Sequence, residues 1–277
     1  DNCGTFELLL PHIIKENNLH VIAIDEPGCG LSSHLPAGAE YPKWGLVKEM
    51  KRVANYLEWK NFSIIGHSRG AGFSIFFAAM FPEMVQSVIA IDAFGAFFTK
   101  ENYPYTDREG LVLNKLLSFD EKLMKTPNLE ETAPVYSEEE AVKRIMTATP
   151  FGLTPKTARI LMKRGSKQHK GGYIFTRDLR HKLPIMGPLP TRADLLEFSE
   201  RIRCDLLILL ATKGPFSHFD STDWFDIYKS KCRTFKSVTV KGKHYIHMDV
   251  PEEVASHINE FLQESILKGP IANVEFL

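Results

Sequence analysis

The stretch FSIIGHSRGAGFSIFFAAMFPE, Phe62 to Glu83, sets a short apolar run before a glycine-flanked serine and a longer apolar run after it. A Gly-x-Ser-x-Gly match alone arises by chance in about one chain in ten of this length. Its neighbours therefore decide its meaning. Phe62–Ile65 reads as a strand, and an apolar helix is expected from about Gly70 to Met80. Ser68 then stands at the carboxyl end of a strand, where open α/β sheets bind their ligands. Small residues are needed around so tight a turn, and Gly66, Gly70 and Gly72 meet that need. The helix N-terminus brings N–H groups and a positive dipole end to the serine oxygen. Ser68 is a candidate nucleophile; the plainer reading is a glycine turn with a bystander serine.

Outward from this stretch, strand-like and helix-like segments alternate. HVIAID (His20–Asp25) reads as a strand ending in the turn-rich EPGCGLSS. KWGLVKEMKRVANYLEWK follows, with Leu46, Met50, Val53 and Leu57 at helical spacing. VQSVIAID (Val85–Asp92), DLLILLAT (Asp205–Thr212) and FKSVTVKG (Phe235–Gly242) complete five expected strands, and PEEVASHINEFLQE (Pro251–Glu264) is a closing helix. Nearly all-apolar strands separated by helices imply an α/β protein with a mainly parallel sheet covered on both faces. Residues 97–203 are charged, mostly helical in pattern and punctuated by prolines, and read as a helical insertion. The expected domains are thus a core in two parts, 1–96 and 204–277, around an insertion at 97–203.

Lys and Arg balance Asp and Glu at 34 each, which removes the electrostatic case for nucleic acid or an anionic membrane as main partner. Lys163, Arg164 and Lys167 are expected on solvated faces. The four cysteines (Cys3, Cys29, Cys204, Cys232) show no Cys-x-x-Cys pair and no Cys/His cluster at metal-ligand spacing. No metal is expected, and reduced thiols in a cytoplasmic protein are. No apolar run is long enough to span a bilayer. The start lacks Met and is acidic, unlike a signal peptide, and suits a piece of something longer. The end, ANVEFL, is not a Ser-Lys-Leu address, although a peroxisomal or vesicle-associated location stays open.

A nucleophilic serine needs a base, and the base an orienting acid. His244, directly after the Gly242 turn and before the closing helix, is the preferred base, with His247 its rival. His12, His20, His169, His181 and His257 have no matching context. Asp220, after the fourth strand, and Asp92, at the end of the third, both preserve the order serine, acid, histidine. Asp223 and Asp226 are weaker candidates. The Arg69 backbone N–H is a candidate oxyanion donor.

The segments DEPGCGLSSH, YLEWKNFSIIGHSRG, FPEMVQSVIAID, YIFTRDLR and GKHYIHMDVPEEVASHINEFL resemble the α/β-hydrolase fold, specifically the kraken-like serine hydrolase-like proteins. The resemblance covers nearly the whole chain. It implies Ser68 as nucleophile in an elbow with Gly66, His67 and Gly70, His244 as base, and residues 97–203 as a helical cap. It implies hydrolysis of an ester or related acyl bond without a cofactor. Three departures from the family pattern stand out. Cys29 replaces the usual turn histidine, and Arg69 replaces a hydrophobic residue. The His-Gly-Trp stretch that supplies another oxyanion donor, with the strands before it, would precede Asp1, leaving the core N-terminally incomplete.

The expected function is a serine hydrolase acting on a small apolar or amphipathic acyl substrate through an acyl-enzyme, the apolar FFAAM segment suggesting the substrate's character. The alternative is a catalytically inactive hydrolase-fold protein that binds a small molecule or partner. The oligomeric state is left open.

Overall fold

A computed structural model of the chain describes residues 2–36, 38–95, 105–126, 130–149, 152–183 and 190–269. The elements begin with α1 (Leu10–Asn17), α2 (Gly45–Tyr56), β1 (Phe62–His67), α3 (Arg69–Met80) and β2 (Val85–Ile91). Next come α4 (Tyr105–Lys125), α5 (Glu138–Ala148), α6 (Pro155–Gly165), β3 (Ser166–His169) and β4 (Gly172–Phe175). The chain continues with α7 (Arg192–Glu200), β5 (Asp205–Lys213), α8 (Thr222–Lys231), β6 (Thr234–Lys243), α9 (Ile246–Asp249) and α10 (Pro251–Leu267). The ANVEFL end lies outside the described residues.

The chain divides into two compact units. One comprises Phe6–Ile22, Val47–Phe97 and Pro190–Leu277. It carries a four-stranded sheet in the order β1-β2-β5-β6, every pairing parallel. Strand β2 has no polar side chain beyond Gln86 and Ser87, and β5 opens with five buried residues, as strands covered on both faces require. On α10, Val254, Ala255, Ile258, Phe261 and Leu262 recur at helical spacing and pack with Leu9, Ile13, Ile89, Leu207 and Val240 into the main core. Helix α3 is apolar nearly all round and buried from Ala71 to Ala79 except at the half-buried Phe73. Burying a side chain the size of Ile75, Phe76 or Phe77 is worth about 1.5–3 kcal/mol. α7, expected within the insertion, belongs to this unit, where the Ser199 hydroxyl meets that of Tyr228 at 3.2 Å.

The other unit comprises Asp1–Thr5, Ala23–Leu46 and Phe98–Leu189. α5 and α6 start with capping boxes, Ser137 with Glu140 and Thr154 with Thr157, and pack through Ala141, Val142, Ala158 and Met162. After α6, β3 and β4 form an antiparallel hairpin that the helical reading of this region missed. Its two turn residues, Lys170 (φ 46°) and Gly171 (φ 80°), both take the positive φ that a tight hairpin needs.

Two further expectations are corrected. His20–Asp25 forms no strand: among the described strands β1 lies at the edge of the sheet, and none pairs with this segment. Ile22 is left 42% exposed. On α2 the buried residues are Val47 and Ala54, one position along from the spacing read in the sequence.

Arg164 is likewise no solvated face. Its guanidinium donates to Asp25 at 2.7 and 3.0 Å, and the same carboxylate accepts from the Cys3 and Leu31 backbone N–H groups. Burial raises the Asp25 pKa, but these donors outweigh it and hold it below the ordinary value. A Cβ on Gly30 (φ 55°) would sit 2.2 Å from this carboxylate, so the turn needs glycine there twice over.

Candidate active site

Ser68 lies between the last residue of β1 and the first of α3, with φ 52° and ψ −119°. Holding a non-glycine residue in so sparsely populated a conformation costs about 1–3 kcal/mol. Two backbone bonds maintain it: the Ser68 N–H donates to the Ile91 carbonyl at 2.8 Å, and the Gly72 N–H donates to the Ser68 carbonyl at 3.1 Å. Gly66 permits the sharp strand-to-helix reversal, since a Cβ there would stand 2.5 Å from the Gly70 carbonyl oxygen and 2.6 Å from the Ala71 nitrogen. The expectation that Gly70 must be small for the same reason is not met, because a Cβ at Gly70 would meet open space.

The Ile91 carbonyl that receives Ser68 ends β2, and Asp92 follows it (φ 48°). Its N–H donates to the Leu209 carbonyl at 2.7 Å, and its Oδ1 accepts the Ala211 N–H at 2.9 Å. These two contacts to β5 aim Oδ2 at the Nδ1 of His244, 2.6 Å away. Asp92 is wholly buried and His244 is 4% exposed. A carboxylate can only accept, so Nδ1 holds the proton and the lone pair is left on Nε2. Gly214 completes the seat, since any Cβ there would stand 2.2 Å from Asp92 Oδ2.

Of the two candidate acids, the carboxylate that meets His244 is that of Asp92 and not that of Asp220. Asp220 is exposed, and its carboxylate accepts the Thr222 N–H at 3.0 Å at the start of α8. Asp223 pairs with Arg192 and Asp226 with Lys229. Chain order could not separate these candidates, because Asp92 and Asp220 satisfy it equally.

His67 has a part that its place in the elbow motif did not disclose. Its Nε2–H donates to the His244 carbonyl at 2.8 Å, and its ring lies 4.4 Å from the His244 ring and 4.2 Å from that of His247. Burial first, then His247 and His244, push its pKa well below the ordinary value, so it remains a neutral donor. His247 is fully buried, and burial with the neighbouring His244 pushes it down to about 3. Arg69 is the first residue of α3. Its exposed guanidinium lies over the Phe73 ring.

The parallel sheet, the strained serine between β1 and α3, and the buried aspartate–histidine pair at the ends of β2 and β6 define an α/β-hydrolase fold, whose family pattern matches residues 4–124. A serine hydrolase-like protein of Danio rerio is 36% identical over 95% of this chain and 78% of its own length. A probable serine hydrolase of Drosophila melanogaster is 32% identical over 96% and 78%. The chain belongs to the serine hydrolase-like proteins. A hypothetical protein of Pseudomonas aeruginosa PAO1 superposes with a TM-score of 0.76 at 27% identity, covering 96% of this chain and 88% of that one. The thioesterase domain of a curacin biosynthetic pathway superposes at 0.70 with 21% identity, over 93% of this chain and 86% of that domain, a likeness of fold alone. No described helix is long and apolar enough to cross a membrane.

Proposed function

We propose that the protein is a serine hydrolase that cleaves an ester or related acyl bond of a small apolar or amphipathic substrate through an acyl-enzyme. Ser68 Oγ attacks the carbonyl carbon. His244 Nε2 takes the serine proton and passes it to the departing alkoxide, and water then releases the acyl group by the same path reversed. Asp92 fixes the imidazole tautomer and stabilises its protonated form, while the Arg69 N–H donates to the developing oxyanion.

The observation that carries this reading is the buried 2.6 Å contact between His244 and Asp92, set by β5 and by His67 beside a serine in a strained turn. The apolar Phe76–Ala79 segment gives no support for the substrate class, since it is buried core. Support comes instead from the half-buried Phe216 and the 39% exposed Phe219 after Gly214, which rest on the buried Phe94 at 5.4 and 5.5 Å.

The test is covalent labelling by a fluorophosphonate, which reacts with a serine that its base and oxyanion donors activate. Labelling that disappears in Ser68→Ala is expected. A folded chain that resists the reagent would overturn the proposal in favour of a binding protein without turnover.

A further inference from the structure

The turn Glu26-Pro27-Gly28-Cys29 and the short helix Leu179–Lys182 bring three different donor groups together. The Glu26 carboxylate, the Cys29 sulfur and a ring nitrogen of His181 all lie within 4.8 Å of one another. Carboxylate, thiol and imidazole together are the donor types that zinc takes, whereas calcium and magnesium take oxygen alone. We propose that these three side chains bind one zinc-like divalent transition ion, with a fourth position left to water.

The positions are set by a rigid frame. The Cys29 N–H donates to the Glu26 carbonyl at 2.8 Å, closing the turn, and the Gly28 N–H donates to the Ser33 carbonyl at 2.9 Å. The turn is fastened to the second element where the Asp178 N–H donates to the Gly28 carbonyl at 2.8 Å. Asp178 then caps the helix through the Arg180 N–H and accepts from the Tyr41 hydroxyl and the Arg180 guanidinium. The His181 ring packs at 4.1 Å from Tyr41, and its Nε2 lies 2.7 Å from the Pro27 carbonyl oxygen. That carbonyl can only accept, so Nε2 carries the proton and Nδ1 the lone pair. A hydrogen bond to the non-ligating nitrogen is how metal-binding imidazoles are held.

Neighbouring ligands of a tetrahedral zinc stand about 3.5 Å apart, so small side-chain rotations close the set. Binding converts the Cys29 thiol to thiolate and releases its proton to solvent. Cys29 is 2% exposed, whereas Glu26 and His181 are half-buried and give the ion its way in.

Cobalt(II) is the probe, because a thiolate ligand gives it a near-ultraviolet charge-transfer band. Titration of the chelator-treated full chain should produce that band with one equivalent, and zinc should displace it. Cys29→Ser, checked for fold by circular dichroism, should abolish the band although Cys3 and Cys232 remain. His181→Gln and Glu26→Gln should each weaken binding at least about tenfold, and they carry the test if Cys29→Ser does not fold. Absence of the band at saturating cobalt would overturn the proposal, as would its persistence in Cys29→Ser or unchanged affinity in both other variants.

Discussion

His67 grips the backbone of His244: its Nε2–H donates to the His244 carbonyl across 177 positions of chain. The residue before the serine thereby sets the height of the histidine loop, independently of the aspartate that orients the imidazole. His67→Ala is expected to lower kcat about 10-fold to 10²-fold with KM little changed, because misplacement of a base acts on the chemical step. His67→Gln, which retains a donor, should recover part of the loss. Steady-state kinetics on a generic short-chain ester measures both.

Asp92→Asn should lower kcat by up to about 10⁴-fold, since an amide no longer fixes the tautomer that leaves Nε2 basic. Asp220→Asn should stay within about twofold of the unaltered protein, because that carboxylate caps the start of α8. Equal losses in the two variants would return the acid's role to the open question that chain order leaves.

Gly214→Ala tests the seat of the same carboxylate without touching it. The added Cβ would enter the space 2.2 Å from Asp92 Oδ2 and push the carboxylate off His244. Activity should fall about 10²-fold. The downfield Nδ1 proton resonance of His244 should shift or vanish in the NMR spectrum while the rest of the fold signature persists.

The two elbow glycines should behave oppositely. Gly66→Ala drives a methyl group into the Gly70 carbonyl and should destabilise the fold by about 1–3 kcal/mol in urea unfolding. Gly70→Ala meets open space on a helix and should change stability by less than about 1 kcal/mol, towards greater stability. If both variants lose stability equally, the turn's tightness does not reside in Gly66.

Acid sensitivity should come in two windows. His247 is held neutral in the fold with a pKa of about 3 against an ordinary 6.5, so the unfolded chain takes up a proton first as pH falls. Stability is therefore lost from about pH 6.5 down towards 3, and His67 adds in the same direction. Burial raises the Asp178 pKa, but donation from Arg180 and Tyr41 outweighs it and brings it from 3.8 to about 2. Its contribution of about 2 kcal/mol is whole above pH 4 and disappears between about 4 and 2. Urea midpoints against pH should show His247→Gln flattening the upper window and Asp178→Asn the lower.

What could be read from the sequence was local. The elbow is specified by the five residues from Gly66 to Gly70 and their flanking apolar runs, so β1, Ser68 and α3 were legible, as were β2, β5, β6 and α10 from their apolar patterns. His20–Asp25 has the composition of a strand, but a strand is made by its neighbour, and no described strand pairs with it. The β3–β4 hairpin was signalled by Lys170-Gly171 and obscured by the charged helices around it. Asp92 could have been favoured by its place directly after β2, beside the strand that carries the serine. Nothing in spacing could associate Cys29 with His181 or Gly214 with Asp92, since those pairs meet only once the chain has folded.

The contact between Asp92 and His244 spans 152 positions. On a growing polypeptide the serine, its strand and the aspartate emerge long before the histidine loop. Until β6 adds to the sheet, Asp92 has no histidine to meet. On the proposed function, reactivity towards acyl groups arrives late in synthesis, with β6 and the loop after it.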